Sequence, residues 1–197
     1  MIRAARDGDV LTLTLDRPEK ANALTAGMLT ALLGHVREAD DLRLMILTGA
    51  GDAVFSAGAD LGEMRAGLAT SPLWEEVSGA IATMPCLTVA ALNGTLAGGS
   101  FGMALACDIR LAVPHAAFFY PVAKLGFLPQ PSDPARLARL VGPARAKLIL
   151  AGGARLDASE ALAFGLVDRI EPDPVAGARD LAPGSAEHVR AIKAMVP

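Results

Sequence analysis

Leu87-Thr88-Val89-Ala90-Ala91-Leu92-Asn93-Gly94-Thr95-Leu96-Ala97-Gly98-Gly99 passes from a short apolar run straight into a turn built of small residues. The same order occurs upstream, where Leu44-Met45-Ile46-Leu47-Thr48-Gly49 precedes Phe55-Ser56-Ala57-Gly58-Ala59-Asp60. An apolar run of this length, bounded by turn residues, reads as a buried strand. Glycine and alanine in the turn let a ligand approach the backbone closely, and a helix beginning just beyond leaves amide N–H groups free to point at it. Two such turns brought together could aim two N–H donors at one oxygen, the layout of an oxyanion hole.

The flanking sequence supplies strands and helices in alternation. Val10-Leu11-Thr12-Leu13-Thr14-Leu15 has the period of two expected of a half-buried strand. Asp16 to Lys20 reads as a loop, and a helix from about Thr25 gathers Met28, Leu29, Leu32, Leu33 and Val36 on one face. Ser71-Pro72 has the form of an N-cap followed by a first-turn proline, opening a helix that carries Val77, Ile81 and Met84. A helix is expected from about Gly99 to Ala106, and a strand from Asp108 to Val113. Asp133-Pro134 repeats the cap-then-proline pattern ahead of Leu137, Leu140 and Val141. Asp157-Ala158-Ser159-Glu160 has capping-box spacing before a short helix that ends at Gly165, and Leu166 to Ile170 offers a last strand. From Glu171 onward only Ala186 to Met195 has helical character. No linker divides the chain, so the expectation is an α/β protein with parallel pairing. It is read as a single domain over residues 1–197, with a core at about 10–170 and a short helical tail at 171–197.

Composition narrows the function classes. The chain has 197 residues, 52% of them apolar and 20% charged, which suits a packed core and not disorder. A formal charge of −3 and few aromatic residues give no basic footprint for nucleic acid. Cys86 and Cys107 form no metal-ligand pattern, no metal-binding helix motif occurs, and His35, His115 and His188 are isolated from any plausible nucleophile. The N-terminus turns acidic before any apolar stretch develops, which argues against a signal peptide. Val77 to Cys107 carries no charge, yet Pro85, Asn93, Gly94, Gly98, Gly99 and Gly102 break it into pieces shorter than a membrane span. These features together predict a soluble, cytoplasmic chain with two buried thiols.

The turns do not stand alone. Taken with Arg17-Pro18-Glu19-Lys20-Ala21-Asn22-Ala23-Leu24, Ala106-Cys107-Asp108, Leu125-Gly126-Phe127-Leu128-Pro129 and Ala158-Ser159-Glu160-Ala161-Leu162-Ala163-Phe164-Gly165-Leu166-Val167, they resemble the crotonase, or enoyl-CoA hydratase/isomerase, superfamily. The resemblance runs from about Val10 to Ile170, with the motifs in the family's order and spacing. It implies a spiral of ββα repeats, assembled as a homotrimer or a pair of trimers. It also implies an acyl-CoA thioester as substrate and partner, CoA being part of the substrate, with no separate cofactor, no metal, no membrane and no nucleic acid. Carried over by position, the oxyanion donors are the backbone N–H groups of Ala59 and Gly99. Lys20, Ala21, Ala57, Gly58, Asp60, Leu61 and Gly98 fall where the family contacts the CoA portion or the thioester.

Two positions depart from the pattern. Hydratases of this family hold a water between two glutamates, and here those positions are Gly102 and Val122, neither of which can accept a proton. An efficient hydratase is therefore not expected. Asp133, Glu63 and Tyr120 are the substitute candidates, although Asp133 also suits capping, Glu63 an exposed helix start, and Tyr120 a core edge. The readings left open are a lyase or isomerase of acyl-CoA metabolism, a thioester hydrolase or decarboxylase, and a non-catalytic acyl-CoA-binding or assembly subunit. A further expected departure is a shortened C-terminal helical region, the family usually continuing for several more helices.

Overall fold

The structure is a computed structural model, and residues 1–181 and 184–196 are described. It opens with a hairpin, β1 (Ile2–Asp7) and β2 (Val10–Leu15), turned by Gly8 at φ 59° and paired antiparallel. Helix α1 (Ala26–Arg37) follows, with Thr25 accepting a hydrogen bond from the Met28 amide at its N-terminus. Its buried face is the expected one: Met28, Leu29, Leu32, Leu33 and Val36.

Three units of similar plan come next. The first is β3 (Leu44–Gly49), β4 (Val54–Ser56), α2 (Leu61–Arg65) and α3 (Leu73–Ala82). The second is β5 (Leu87–Leu92), β6 (Thr95–Ala97) and α4 (Phe101–Ala106), the last entered through a 3₁₀ turn at Gly98–Ser100. The third is β7 (Ile109–Ala112), β8 (Ala117–Phe119), α5 (Val122–Leu125), α6 (Asp133–Val141) and α7 (Pro143–Leu150). Then come β9 (Arg155–Asp157), α8 (Ala158–Phe164), β10 (Arg169–Ile170), α9 (Pro174–Asp180) and α10 (Ala186–Met195).

Each unit places its first strand in one sheet and its second in another. The larger sheet has the order β1-β2-β3-β5-β7-β10 and the smaller β4-β6-β8-β9. The chain thus advances by one strand in both sheets at every unit, and pairing is parallel except at β1–β2 and β8–β9. This is the expected spiral of ββα units.

β3 is buried along its whole length because both faces of the larger sheet are covered. One face meets the helices and the smaller sheet in the main core, which includes Leu13, Leu47, Phe55, Phe101 and Leu137. On the other, Val10, Leu44, Ile46, Val89, Ala91 and Leu111 pack against Ala178 of α9.

Several sequence expectations need correction. The last strand is only Arg169–Ile170, and the tail contains α9 besides the expected α10. Ala182, Pro183 and Pro197 of that tail lie outside the described residues. Asp133 does not cap α6: Ser132 holds the N-cap position, and the Asp133 side chain turns inward. The capping box at Asp157–Glu160 forms as read, closed by Gly165 in the left-handed region. Cys86 and Cys107 are buried free thiols. Among the described residues, no helix is long and apolar enough to cross a membrane.

Candidate active site

The first turn is held in place by the loop before α1. Ala57 N–H donates to Ala21 O, Leu24 N–H to Gly58 O, and Asp60 N–H to Leu24 O. Ser56 Oγ donates to Asn22 O and accepts from Gly58 N–H. Buried Asn22 donates from Nδ2 to Ala50 O and Val54 O, and its Oδ1 accepts from Arg17 N–H. The Arg17-to-Leu24 motif is therefore the cradle of this turn. Asp60 accepts from Gly62 and Glu63 amides at the start of α2 and pairs with Arg17 at 2.7 Å. That guanidinium, with the two amides, lowers the pKa of Asp60. Its role is to fix the turn.

The second turn lies directly against the first. Gly58 has φ 89°, and a Cβ there would stand 3.0 Å from Ala97 O and 3.2 Å from Gly99 N. Only glycine allows this approach. Buried Ser100 fastens the junction, its Oγ donating to Ala97 O and reaching Ser56 O at 3.3 Å. Among the described residues, the Ala59 amide has no acceptor, and Gly99 sits in the first turn of the 3₁₀ segment, where an amide finds none within the helix.

Both residues border one mostly apolar pocket of about 120 Å³. Ala57, Ala59, Ala97, Gly98 and Gly99 of the two turns line it, together with Met64 and Trp74. Tyr120, Val122, Leu125, Phe127 and Leu128, from the segment after β8, line it as well. Trp74 is buried with Nε1 donating to Leu68 O, and a Cβ on Gly99 would press on its ring at 3.3 Å. Gln130 Nε2 donates to Ala69 O, tying the loop after α5 to the segment between α2 and α3.

A polar pair joins the pocket lining to the core. Tyr120 stacks on Phe101 with ring centroids 5.2 Å apart, and its hydroxyl donates to Asp133 Oδ2 at 2.8 Å. Asp133 is fully buried, and its Oδ1 has no hydrogen-bond partner. Burial pushes this carboxyl up to about 7, the tyrosine bond opposing the shift and the Glu75 charge adding to it. Burial and the same carboxylate push the Tyr120 phenol well above its ordinary value.

The sequence candidates are thus sorted by position. Ala59, Gly99, Ala57, Gly98, Leu61, Tyr120 and Val122 line the pocket, and Asp133 is joined to it through Tyr120. Gly58 shapes the wall from within, while Lys20 and Ala21 lie outside on the loop that supports it. Lys20 is exposed. Glu63 does not reach the pocket: its Oε2 accepts from the Ala26 amide at 2.6 Å, so it serves the start of α1. Trp74, Met64, Phe127, Leu128 and Gln130 were missed, since a lone aromatic or a loop amide carries no spacing signal.

The match to known proteins spans nearly the whole chain. The sequence profile for enoyl-CoA hydratase/isomerase matches residues 5–196. The Bacillus subtilis protein YngF is 38% identical over 194 residues, covering 94% of this chain and 72% of its own. Carnitinyl-CoA dehydratase of Salmonella arizonae is 39% identical over 179 residues, covering 86% of this chain and 67% of its own. The crystal structure of an enoyl-CoA hydratase from Bacillus anthracis superposes with a TM-score of 0.87 at 32% identity, covering 98% of this chain and 80% of that one.

Proposed function

Since the chain belongs to the enoyl-CoA hydratase/isomerase family, we propose that its pocket takes the acyl group of a CoA thioester, with the carbonyl oxygen between the Ala59 and Gly99 amides. The carrying observation is the Gly58 contact, which brings two turns together so that Ala59 and Gly99 border one apolar cavity. Deprotonating the α-carbon of a thioester, or adding a nucleophile at its β-carbon, places negative charge on that oxygen. A preorganised donor aimed there is worth about 2.7–4 kcal/mol in the transition state, and an apolar surround strengthens it. Leu61, Ala57 and Gly98 flank the thioester, and the CoA portion passes over the loop bearing Lys20 and Ala21.

Hydration of simple 2-enoyl-CoA is slow in this reading. Val122 lines the pocket and Gly102 has no side chain, so these two positions supply no pair of carboxylates to grip a water. The family resemblance further supports a homotrimer or a pair of trimers, which light scattering of the purified protein tests.

A probe that differs only at the carbonyl tests the amide pair. Butyryl-CoA is compared by calorimetry with butyl-CoA, its thioether analogue lacking that oxygen. The expected result is about tenfold weaker binding of the thioether, as befits a lost pair of buried hydrogen bonds. Equal affinities overturn the proposed role of Ala59 and Gly99.

A further inference from the structure

Resting on that reading of the pocket, we propose that Tyr120 and Asp133 form a proton relay serving the α-carbon of the bound thioester, the carboxylate being delivered from α6.

Elimination points to Tyr120. Among the described residues, it is the one pocket-lining side chain that can gain or lose a proton: the others are apolar, apart from the neutral amide of Gln130. In this proposal the phenol is therefore the group through which the protein exchanges a proton with a molecule in the cavity. That phenol is not isolated, because its hydroxyl donates to Asp133 Oδ2 at 2.8 Å.

The position of Asp133 is the second observation. Gly102, where a hydratase of the family carries one glutamate, has no side chain, and a Cβ built on it would lie 2.8 Å from Asp133 Oδ1. The space vacated on α4 is thus occupied by a carboxylate from α6. This oxygen is fully buried and unpartnered, an arrangement that costs free energy and has no evident structural return. With no hydrogen bond to the helix amides, the carboxylate is not a cap.

The relay is balanced as a proton transfer. The α C–H bond breaks, and its electron pair enters the enolate and comes to rest on the thioester oxygen. The proton bonds to the Tyr120 oxygen as the phenolic proton passes to Asp133 Oδ2. Reversal returns a proton to carbon, and no oxidant or further reactant enters. Tyr120 touches the substrate and is the catalytic residue. Asp133 acts through it and is a positioning residue.

The surroundings set the poise of the carboxyl. From α3, Glu75 accepts from the Ser132 amide and hydroxyl at 3.1 and 2.9 Å and disfavours a second negative charge nearby. From α6 itself Arg136 favours ionisation. Helix α4 presents no titratable group, its sequence being Phe101-Gly102-Met103-Ala104-Leu105-Ala106. Burial dominates, leaving Asp133 to titrate at about 7.

The experiment follows deuterium. The full chain and its Tyr120→Phe and Asp133→Asn variants are incubated for hours with butyryl-CoA in D₂O, and label at the α-carbon is read by mass spectrometry. Binding of the same thioester is measured in parallel. Wild-type protein is expected to exchange the α-protons, and each variant to do so at least about 100-fold more slowly, as for loss of a positioned acid or base. Binding should stay within a few-fold. The ionised carboxylate is the acceptor, so the wild-type rate rises through pH about 7 and levels above it. Asp133→Asn abolishes that rise, a change that loosened packing alone would not produce. Binding without exchange by the wild type, or full exchange by Tyr120→Phe, overturns the relay and leaves the amide pair standing. Failure of the wild type to bind overturns both.

Discussion

Gly102 shows how one absent side chain changes the chemistry available around it. Its missing Cβ leaves the space into which Asp133 Oδ1 fits, so the two positions are coupled through a distance of 2.8 Å. A buried methyl group added here meets an oxygen that has nowhere to go. Gly102→Ala should therefore destabilise the protein by about 1–3 kcal/mol, in the range for overpacking a core. In an Asp133→Ala background the same substitution should turn neutral or favourable, because alanine is the better helix former by about 1 kcal/mol. Urea denaturation of the four proteins in this cycle reads the coupling directly, and additive effects would disprove it. The sequence revealed that Gly102 and Val122 lack carboxylates and offered Asp133, Glu63 and Tyr120 as substitutes, but not which of them lies beside Gly102. Asp133-Pro134 carries the pattern of a helix cap, and only the inward turn of its side chain in three dimensions separates the two roles.

At the scale of elements, the turns after β4 and β6 decide whether the site forms. They touch through Gly58, whose φ of 89° and 3.0 Å clearance from Ala97 O leave no room for a side chain. Gly58→Ala should weaken butyryl-CoA binding at least about tenfold and cost about 1–3 kcal/mol in stability, since a strained conformation and a steric clash act together. Calorimetry and urea denaturation of the variant measure both, and unchanged binding would show that the turns need not touch. These turns were readable because further motifs accompany them in the family's order and spacing, since glycine alone suits any tight strand-to-helix connection. The buried face of α1 and the capping box of α8 were equally legible, being local patterns of period and spacing. The short strands β4, β6, β8 and β9 were not, since three residues are too few to show a period. Helix α9 escaped notice because a run rich in Pro, Gly and Ala reads as loop until a sheet face requires a cover.

For the molecule as a whole, the two thiols report on integrity. Cys86 and Cys107 are buried, and desolvation pushes them up to about 11 and about 12, so neither carries thiolate near neutral pH. Both lie in the main core. Modification by a thiol reagent should proceed at the rate of large-scale opening and should slow in the presence of a tightly bound thioester. Mass-spectrometric labelling over time checks this, and rapid labelling of either cysteine in native buffer would contradict it. The alternation of strand, strand and helix made the architecture foreseeable at this scale, but the division of strands between two sheets was not, because it depends on pairing across distant units.

The one-strand advance of the spiral also acts as a ruler. The strands β4 and β6 that lead to Ala59 and Gly99 are adjacent and parallel in the smaller sheet. Neighbouring strands stand about 4.8 Å apart. An oxygen held about 2.9 Å from each of two donors tolerates a gap between them of up to about 5.8 Å. The pitch of the repeat falls inside that limit, so the backbone lattice can match the reach of two hydrogen bonds to one atom without any side chain setting the interval.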